Sequence, residues 1–430
     1  MGKDRKRRLR GILLIWGALL ALVFSGRMYT TDVLAQYEVA ESMAGIRPFM
    51  TVSGNFGWTV EGERPGHFVP HGAGFSVLLV PAALVGSALG LQAGKVAAAL
   101  VNSGLSLVLV GFWYAVASRR YSRVPVFRFV VVAVGAMALV YGKLTFDVTA
   151  AAAAAMAALY HFGSGRTVLA GALFGFAVLV RADSVLLFPL FLGSWRKVRD
   201  LLAGASPFIL AMLFVNWYRF GSPLSDGHGQ DPAIALEPFR GGIPGLLLSP
   251  GKGLLYYAPL SAFALFHQRG WRLWTPFVLS LVLHGMLHDW TGGTGWGPRF
   301  LFPSLPFLLL PLCREGAGGK AFRVAAALGV AASLPALWSN PSRLEQSAGA
   351  DLFEEPSRQE VIWTFTSSPL TLAAGNFGRG VPDVLGAMAA SGAGYPPWTG
   401  VALQWVLAAG LALGGLAHLR GAEDRKGDGG

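Results

Sequence analysis

The chain is short of charge and of cysteine, and each shortage excludes a class of protein. Only 13% of its 430 residues are Asp, Glu, Lys or Arg, whereas an average soluble domain has roughly 25%. The single cysteine, Cys313, excludes an internal disulfide and a cysteine-based metal cage. The sequence also contains neither a Walker loop nor a dinucleotide fingerprint. These shortages argue against a soluble domain, a disulfide-stapled protein and a nucleotide-binding enzyme.

Apolar sequence takes the place of charge. Hydrophobic residues make up 53% of the chain and its mean hydropathy is +0.50. Apolar segments close to the ~20 residues that span a bilayer recur throughout. The basic and then apolar N-terminus, "MGKDRKRRLRGILLIWGALLALVFSG", is interpreted as an uncleaved first span rather than a signal peptide. The sequence therefore predicts an all-α, polytopic membrane protein.

We predict about twelve transmembrane helices, with a range of 11–13 because the boundaries are soft. An interfacial helix is expected in the first outer loop. The predicted spans lie near 11–26, 94–117, 127–143, 148–163, 167–180, 184–194, 200–218, 254–267, 272–288, 301–313, 322–338 and 399–418. A transmembrane catalytic module is expected over 1–338, with its outer loop at 27–93. An outer segment over 339–398 and a last helix with a basic tail over 399–430 would follow.

The distribution of charge sets the predicted orientation. The net charge of +12 is explained by basic cytoplasmic loops rather than by nucleic acid, since Lys and Arg accumulate on the inner side of membrane proteins. Both termini are therefore placed in the cytoplasm. One apolar segment, 74–90, could invert everything after it if it spanned. Pro81 and its glycines weaken it as a straight helix, so it is interpreted as re-entrant or interfacial.

Ionisable and aromatic candidates collect at the outer edge of the predicted bundle. Ionisable groups next to apolar spans are costly, which makes each of them a functional candidate. The candidate catalytic residues are Asp32, Glu38, Asp147 and Asp183. The candidate binding residues are Tyr37, His71, Lys143, Arg181, Asp226, His228, Lys252, Trp290, Trp296 and Arg299.

Single candidates also have structural explanations. Arg181 and Asp183 could form a purely structural pair, and Lys143 could mark a membrane edge by extending its ammonium to water. His284 and His288 have helical spacing, but two histidines without a third ligand are weak support for a metal. The sequence therefore indicates no cofactor and no metal, although it leaves a divalent ion open.

The stretch "HDWTGGTGWGPRF", which begins at His288, combines tryptophan, glycine and charge at the mouth of an apolar segment. Trp290 and Trp296 could contact a ligand or lie at the headgroup level. The glycines would let the backbone approach a ligand closely, with Arg299 beside them. An aromatic belt beside a helix-breaking turn is the alternative.

The order of these motifs resembles a known family of membrane enzymes. "TDVLAQYEVAESMAGIRPFM" follows the first span, "HFVPHGAGFSVLLVPAALVG" comes next, and "RADSVLLFPL" appears later. "SPGKGLLYYAPL" and "WTGGTGWGPRFLFPSLP" complete the set. This order is similar to the GT-C glycosyltransferases, and in particular to protein mannosyltransferases that use dolichyl-phosphate-mannose and to bacterial aminoarabinose transferases. The similarity covers about residues 1–315. Asp32-Val33 stands where many members have Asp-Glu.

The resemblance implies a GT-C-like fold in the bacterial inner membrane and an inverting glycosyl transfer at its outer face. The donor would be a sugar on a polyprenyl phosphate, and the acceptor a hydroxyl of a lipid, a glycan or a protein. Asp32 would be the general base, and Arg299 would neutralise the lipid phosphate with its forked guanidinium. Trp290 and Trp296 would stack on the sugar, and the glycines beside them would let the backbone approach the phosphate. Membrane lipids are expected partners and nucleic acid is not. A flippase of lipid-linked saccharides, or a polymerase or ligase of lipid-linked glycans, are the alternatives.

Overall fold

The computed structural model describes residues 3–56, 59–62, 64–227, 241–267, 270–293, 295–340 and 362–427. These residues are mostly helical. The first half contains α1 (Lys3–Val23), α2 (Thr31–Met43), α3 (Ala73–Leu89), α4 (Leu91–Arg120), α5 (Val126–Gly135), α6 (Ala138–Lys143), α7 (Asp147–Gly163), α8 (Thr167–Val180) and α9 (Trp195–Phe220). The second half contains α10 (Gly242–Leu248), α11 (Leu254–Tyr257), α12 (Pro259–His267), α13 (Trp271–Gly285), α14 (Leu305–Leu308), α15 (Gly319–Trp338), α16 (Pro369–Asn376), α17 (Leu385–Gly392) and α18 (Pro397–Gly427).

Short elements of other kinds complete the fold. The 3₁₀ segments are Gly54–Phe56, Ala182–Phe191, Arg299–Ser304 and Leu310–Cys313. The strands β1 (Val60–Glu61) and β2 (His67–Phe68) pair antiparallel in the loop after α2. This two-residue pairing is a small addition to the predicted all-α architecture.

Four of the described helices are long and apolar enough to cross a membrane: α4, α9, α15 and α18 up to Arg420. Shorter apolar helices lie at α3, α5, α8 and Ala182–Phe191. On α18, Leu403, Val406 and Leu407 are all more than 60% exposed. A contiguous apolar surface of this kind suits lipid rather than water. The chain is an all-α membrane protein, and the count of twelve spans stays a prediction.

Several predicted spans are interrupted helices, and local backbone causes explain the breaks. The span at 127–143 is divided into α5 and α6 by Met137, which adopts a left-handed conformation with φ of 64°. The span at 254–267 is divided just before Pro259. The span at 301–313 contains three prolines and forms two 3₁₀ segments around one α-turn. A proline removes a backbone donor and clashes with the preceding turn, so a continuous helix is unfavourable there.

The alanine-rich helix α7 lies in the middle of the bundle. Every residue from Asp147 to Ala158 is buried, and α7 packs against both α4 and α8. Small side chains allow such close approach of helix backbones within a membrane. A small residue also allows α8 and α9 to approach closely, since a β-carbon on Gly171 would overlap the Leu201 carbonyl. This packing fixes the start of α7 and the end of α8, where candidate site residues lie.

Helix α3 covers the predicted interfacial segment 74–90 and continues through Pro81. Pro81, which was expected to weaken a straight helix here, lies inside α3. Gly72, which caps its start, packs against the carbonyl of Val180 at the end of α8. Its other end joins α4 through Gly90, and Asn102 in the first half of α4 bonds the 141–144 segment just before α7. The interfacial or re-entrant placement of this segment stays a prediction.

Candidate active site

The candidate site is assembled from the ends of helices. Asp32 is the second residue of α2, whose start is capped by the Thr30 hydroxyl accepting from the Val33 amide. Asp147 is the first residue of α7, and Arg181 directly follows α8. A carboxylate in the first turn of a helix is stabilised by the positive end of the helix dipole. The start of α2 thus favours the ionised carboxylate of Asp32.

The first feature of the site is an ion pair between Asp32 and Arg299. Arg299 Nη1 lies 2.7 Å from Asp32 Oδ2, and both side chains are mostly buried. Arg299 opens a 3₁₀ segment after the glycine-rich stretch, far along the chain from α2. Its Nε is buried and donates to no acceptor among the described residues. Nη1 of the guanidinium thus holds a carboxylate, while Nε could donate a hydrogen bond to a further oxygen.

Arg181 organises a second group of acids next to this pair. Its Nη1 lies 3.1 Å from Asp147 Oδ1, and its Nη2 lies 2.8 Å from Asp183 Oδ2. Gln36 Nε2 donates to Asp147 Oδ2 at 3.3 Å. The structure confirms contact between Arg181 and Asp183 and adds Asp147 as a second partner. These two carboxylates are therefore occupied by a shared guanidinium.

His284 completes the second group from α13. Its Nε2 lies 3.1 Å from Asp183 Oδ2, and its Nδ1 lies 2.8 Å from the Ser280 carbonyl. Both neighbours are acceptors, so the ring can donate to both only when both nitrogens carry protons. In that form His284 and Arg181 neutralise Asp183 together.

Two phenylalanine rings, Phe146 and Phe300, lie against the cationic side chains of the site. The Arg299 guanidinium carbon lies 5.1 Å from the Phe146 ring centroid and 5.3 Å from that of Phe300. Phe300 also stacks on His284, with the ring centroids 4.7 Å apart, and lies 5.6 Å from the Arg181 guanidinium carbon. Cations are attracted to such ring faces within about 6 Å. Phe300 thus joins the two charged groups into one arrangement.

The glycine-rich stretch wraps the side chain of Arg299. A β-carbon on Gly292 would lie 3.1 Å from Arg299 Nε, and one on Gly295 would lie 3.1 Å from its Cδ. Gly292 also has a φ of +70°, which residues with a β-carbon rarely adopt. Lys252 holds this loop in place, because its buried Nζ donates to the carbonyls of Gly293 and Gly295 at 2.8 and 2.6 Å. Lys252 therefore shapes the loop that positions Arg299.

The surroundings of Asp32 keep it ionised. Burial raises the pKa of Asp32, but the positive charges of Arg299, His71 and Arg181 outweigh that effect and hold the pKa below its ordinary value. The His71 backbone carbonyl accepts from Arg219 Nη1 at 2.9 Å, which ties its loop to α9. Asp32 is therefore a carboxylate at neutral pH, and its charged neighbours are Arg299, His71 and Arg181.

Two other candidates on α2 are engaged elsewhere. Glu38 accepts from the Ser53 amide at 2.6 Å and from its hydroxyl at 3.0 Å, and it lies 3.6 Å from Arg47. The Tyr37 hydroxyl donates to the Ala82 carbonyl at 3.3 Å, and its ring is buried against α3. These contacts tie α2 to the following loop and to α3.

Lys143 lies in a separate buried cluster. Its ammonium donates to the carbonyls of Leu337 at 2.8 Å and Ser339 at 3.1 Å, and it lies 3.5 Å from Asp383. Asp383 also lies 3.0 Å from Arg27 Nε and accepts from the Tyr29 hydroxyl at 2.7 Å. The cluster attaches the end of α15 and the segment before α17 to the connection between α1 and α2.

The remaining candidates divide into three groups. Trp290 packs against Gly242 and Gly245 of α10, and Trp296 is 0% exposed and edge-on to Tyr257. In this arrangement neither indole presents an open face to a sugar or to headgroups. Asp226 interacts electrostatically with Arg219. His228, like Asp231 near it, lies outside the described residues.

Sequence reasoning did not include Phe146, Phe300 or Gln36, and it considered His284 only as a metal ligand. Aromatic residues beside charged ones are common in membrane proteins, so the sequence carried no signal for the two phenylalanines. Among the described residues, no group of three His, Cys, Asp or Glu side chains gathers in a way that could hold a metal ion.

Comparison with solved structures identifies the fold. ArnT from Cupriavidus metallidurans bound to undecaprenyl phosphate matches with a TM-score of 0.52 at 15% identity, covering 95% of this chain and 76% of that one. The same protein in the apo state matches with a TM-score of 0.46 at 14% identity, covering 94% and 74%. No protein-family model and no curated protein matches the chain. The resemblance to GT-C aminoarabinose transferases is thus confirmed at the level of the fold.

Proposed function

We propose that this protein is an inverting glycosyltransferase that moves a sugar from a polyprenyl phosphate to a hydroxyl acceptor. The reaction would take place at the outer face of a bacterial inner membrane. The observation that carries the proposal is the ion pair between Asp32 and Arg299, which brings a base and an anion-binding group into contact. The shared fold with a protein bound to undecaprenyl phosphate supports the choice of donor.

Donor binding would begin with a change of partner at Arg299. The phosphate of the donor carries more negative charge than a carboxylate and matches the guanidinium fork. Nε of Arg299, which has no acceptor among the described residues, supplies one donor for it. The phosphate therefore displaces Asp32 from Arg299 or shares the guanidinium with it.

This exchange would activate the base. Arg299 is the largest of the charges that hold down the pKa of Asp32. When the phosphate neutralises Arg299, that effect weakens, and the phosphate charge itself favours protonation of a nearby carboxylate. The pKa of Asp32 then rises toward a value better suited to removing a proton. Asp32 becomes a stronger base only when the donor is present.

In the transfer step, the acceptor oxygen displaces the lipid phosphate from the anomeric carbon of the sugar. The acceptor hydroxyl gives its proton to the Asp32 carboxylate, and its oxygen attacks the anomeric carbon from the face opposite the phosphate. The bond between that carbon and the phosphate oxygen breaks, and the electron pair leaves with the lipid phosphate. Arg299 stabilises the negative charge that grows on the leaving group. Single displacement inverts the anomeric centre.

Asp147 and Asp183 would have a different role. Both are paired to Arg181, and Asp183 is also bonded to His284, so a donor phosphate bound at Arg299 would leave their pairing in place. Arg181 contributes to the field at Asp32 and shares Phe300 with Arg299. This group would hold the positive charge of the site in place and offer polar contacts to the sugar.

Incubation of purified protein with a radiolabelled sugar on polyprenyl phosphate and a mixture of envelope lipids and glycans tests the proposal. We expect the label to move to an acceptor with inversion of the anomeric centre. Movement of intact donor across the bilayer of proteoliposomes, with no transfer, would favour the flippase instead. Formation of a longer lipid-linked glycan would identify a polymerase that uses the same chemistry.

A further inference from the structure

A second lipid-binding feature lies on the flank of the bundle, outside the candidate active site. It is a groove of about 680 Å³ formed by α1, α4, α17 and α18, and its lining is almost entirely apolar. Leu20 of α1, Phe24 just after α1 and Leu100 of α4 line it. Leu403 and Leu407 of α18 form one wall, and both are 64% exposed. The groove is therefore open sideways, toward the lipid.

The groove lies along the parts of α1 and α4 nearest the candidate active site. Along α1 it extends from Gly17 to Phe24, and along α4 from Leu107 up to Leu100, which is about 10 Å of each helix. Half of the bilayer core is about 15 Å thick. The first half of α4 faces the site side, while its last turn carries Arg119 and Arg120. The groove thus has the depth of a chain from one leaflet.

Positive charge gathers at the mouth of this groove. The amide of Leu385, a lining residue, donates to the Phe24 carbonyl at 2.7 Å. Arg27 follows Phe24 by three residues and pairs with Asp383, two residues before Leu385. Lys143 lies behind the same carboxylate at 3.5 Å. Two cations thus share one carboxylate, and the Arg27 side chain remains 33% exposed.

A further cation lies on the neighbouring helix. Gly26 is packed so closely that a β-carbon there would be 3.0 Å from Val96 and 3.1 Å from Leu385. Lys95 precedes Val96 in the first turn of α4. The polar end of the groove therefore carries an excess of positive charge, next to an apolar channel that opens to lipid.

We propose that this groove binds one acyl chain of an anionic phospholipid, with the lipid phosphate held at Arg27. The proposal goes beyond glycosyl transfer, because none of the residues proposed for catalysis lines the groove. An anionic headgroup complements the unbalanced charge of Arg27 and Lys143, whereas a zwitterionic one would leave it uncompensated. Each basic residue near the membrane surface adds to the attraction between the protein and anionic lipids.

Filling the groove tests the proposal. A β-carbon on Gly17 would meet only Leu107, at 4.0 Å, so Gly17→Leu should place its side chain in the groove without a backbone clash. Gly410 on α18 is exposed, has no neighbour within 4 Å and lies outside the lining. Gly410→Leu is therefore the matched control. Leu403→Trp, at an exposed position, fills the groove mouth from the lipid side.

Each protein is reconstituted in bilayers of equal phosphatidylglycerol and phosphatidylcholine, extracted gently and analysed by native mass spectrometry. We expect the wild type and Gly410→Leu to retain one phosphatidylglycerol, and Gly17→Leu and Leu403→Trp to retain about tenfold less. Arg27→Gln should lose the preference for phosphatidylglycerol over phosphatidylcholine.

The proposal would be overturned by a wild type that retains no phospholipid, by wild-type retention in both groove-filling variants, or by an unchanged preference in Arg27→Gln. Retention of polyprenyl phosphate in the groove instead of phospholipid would also overturn it. None of these readouts depends on sugar transfer, so failure here leaves the proposed enzymatic function to its own test.

Discussion

Asp32 Oδ2 and Arg299 Nη1 lie 2.7 Å apart, although the two residues are far apart in the sequence. The ion pair occupies both side chains. It also neutralises the two groups that the proposed reaction would need in their charged forms. Its opening by a third charged group, the donor phosphate, would therefore couple donor binding to activation of the base.

Arg299→Ala should weaken binding of polyprenyl phosphate at least about tenfold in Kd, since loss of a charged hydrogen bond typically costs ~1.5–3 kcal/mol. The variant also leaves Asp32 unpaired beside the phosphate, which adds repulsion. Arg299→Lys should recover only part of the affinity, because an ammonium lacks the fork. Fluorescence titration with a short-chain polyprenyl phosphate measures these constants. Arg272→Ala, an exposed basic position, is the control and should bind as the wild type does.

The double variant Asp32→Asn/Arg299→Ala separates two contributions to that loss. Removing the Asp32 charge should restore some of the affinity that Arg299→Ala loses, because the repulsion disappears. Identical Kd values for the single and double variants would show that Asp32 does not act on the phosphate.

The pH dependence of transfer follows from the low pKa of Asp32 in the free protein. The carboxylate form is required, so kcat/KM should stay constant as pH falls and decline only below about 4, the ordinary pKa of an aspartate. When the donor occupies Arg299, the pKa of Asp32 rises, so the acid limb of kcat should lie at higher pH than that of kcat/KM. Coincident limbs in the two profiles would contradict the exchange of partners at Arg299.

The depressed pKa of Asp32 should also make the stability of the folded protein depend on pH. Because the folded-state pKa of Asp32 is depressed, ionised Asp32 stabilises the folded protein above the unfolded pKa of about 4. That contribution is lost as pH falls through the lower folded-state pKa. The difference in thermal midpoint between wild type and Asp32→Asn should therefore shrink on acidification below pH 4. A constant difference down to pH 3 would argue against the depressed pKa.

Sequence alone identified much of the site, because charge is so rare in this chain that each outer-edge residue stood out. Asp32, Asp147, Asp183, Arg181 and Arg299 were all candidates, and the structure brings them into one region. The sequence did not predict which of these acids pairs with which arginine in every case. Arg181 meets Asp147 because the packing of α7 on α8 places the start of one helix beside the end of the other, and no local pattern records that.

The sequence did not predict where helices break or which aromatic side chains are buried. An apolar run such as 127–143 has the composition of a single span, and only the left-handed Met137 divides it. Trp296 has the composition expected of a headgroup belt or of a core residue, and tertiary packing decides between them. Trp296 is fully buried, with its carbonyl accepting from the Tyr141 hydroxyl at 2.7 Å.

Membrane orientation remains a prediction that surface labelling can examine. Single cysteines are introduced at the exposed residues Ser122 and Ser391 on a Cys313→Ser background and treated with an impermeant maleimide in intact cells. The basic residues around 118–128 predict that Ser122→Cys is protected until the membrane is opened, and that Ser391→Cys reacts at once. The reverse pattern would invert the proposed sidedness.

Lys143→Met should lower the free energy of unfolding by about 1–3 kcal/mol, because it removes the donor that satisfies buried carbonyls at Leu337 and Ser339. It also leaves Asp383 with Arg27 and Tyr29 only. Lys320→Met, an exposed lysine at the start of α15, should change the free energy by no more than about 0.5 kcal/mol. Denaturation in mixed micelles measures both. Equal effects would show that the buried cluster contributes nothing specific.

The most direct measurement compares Asp32→Asn with the wild type in two assays on the same preparation, sugar transfer from labelled polyprenyl-phosphate donor and binding of polyprenyl phosphate. The asparagine keeps the size of the side chain but cannot take the proton. We expect transfer to fall by about 10²–10⁴-fold. Binding should be equal or tighter, because Arg299 no longer has a competing carboxylate. Transfer at the wild-type rate, or binding that weakens together with transfer, would contradict the assignment of Asp32 as the base that Arg299 restrains.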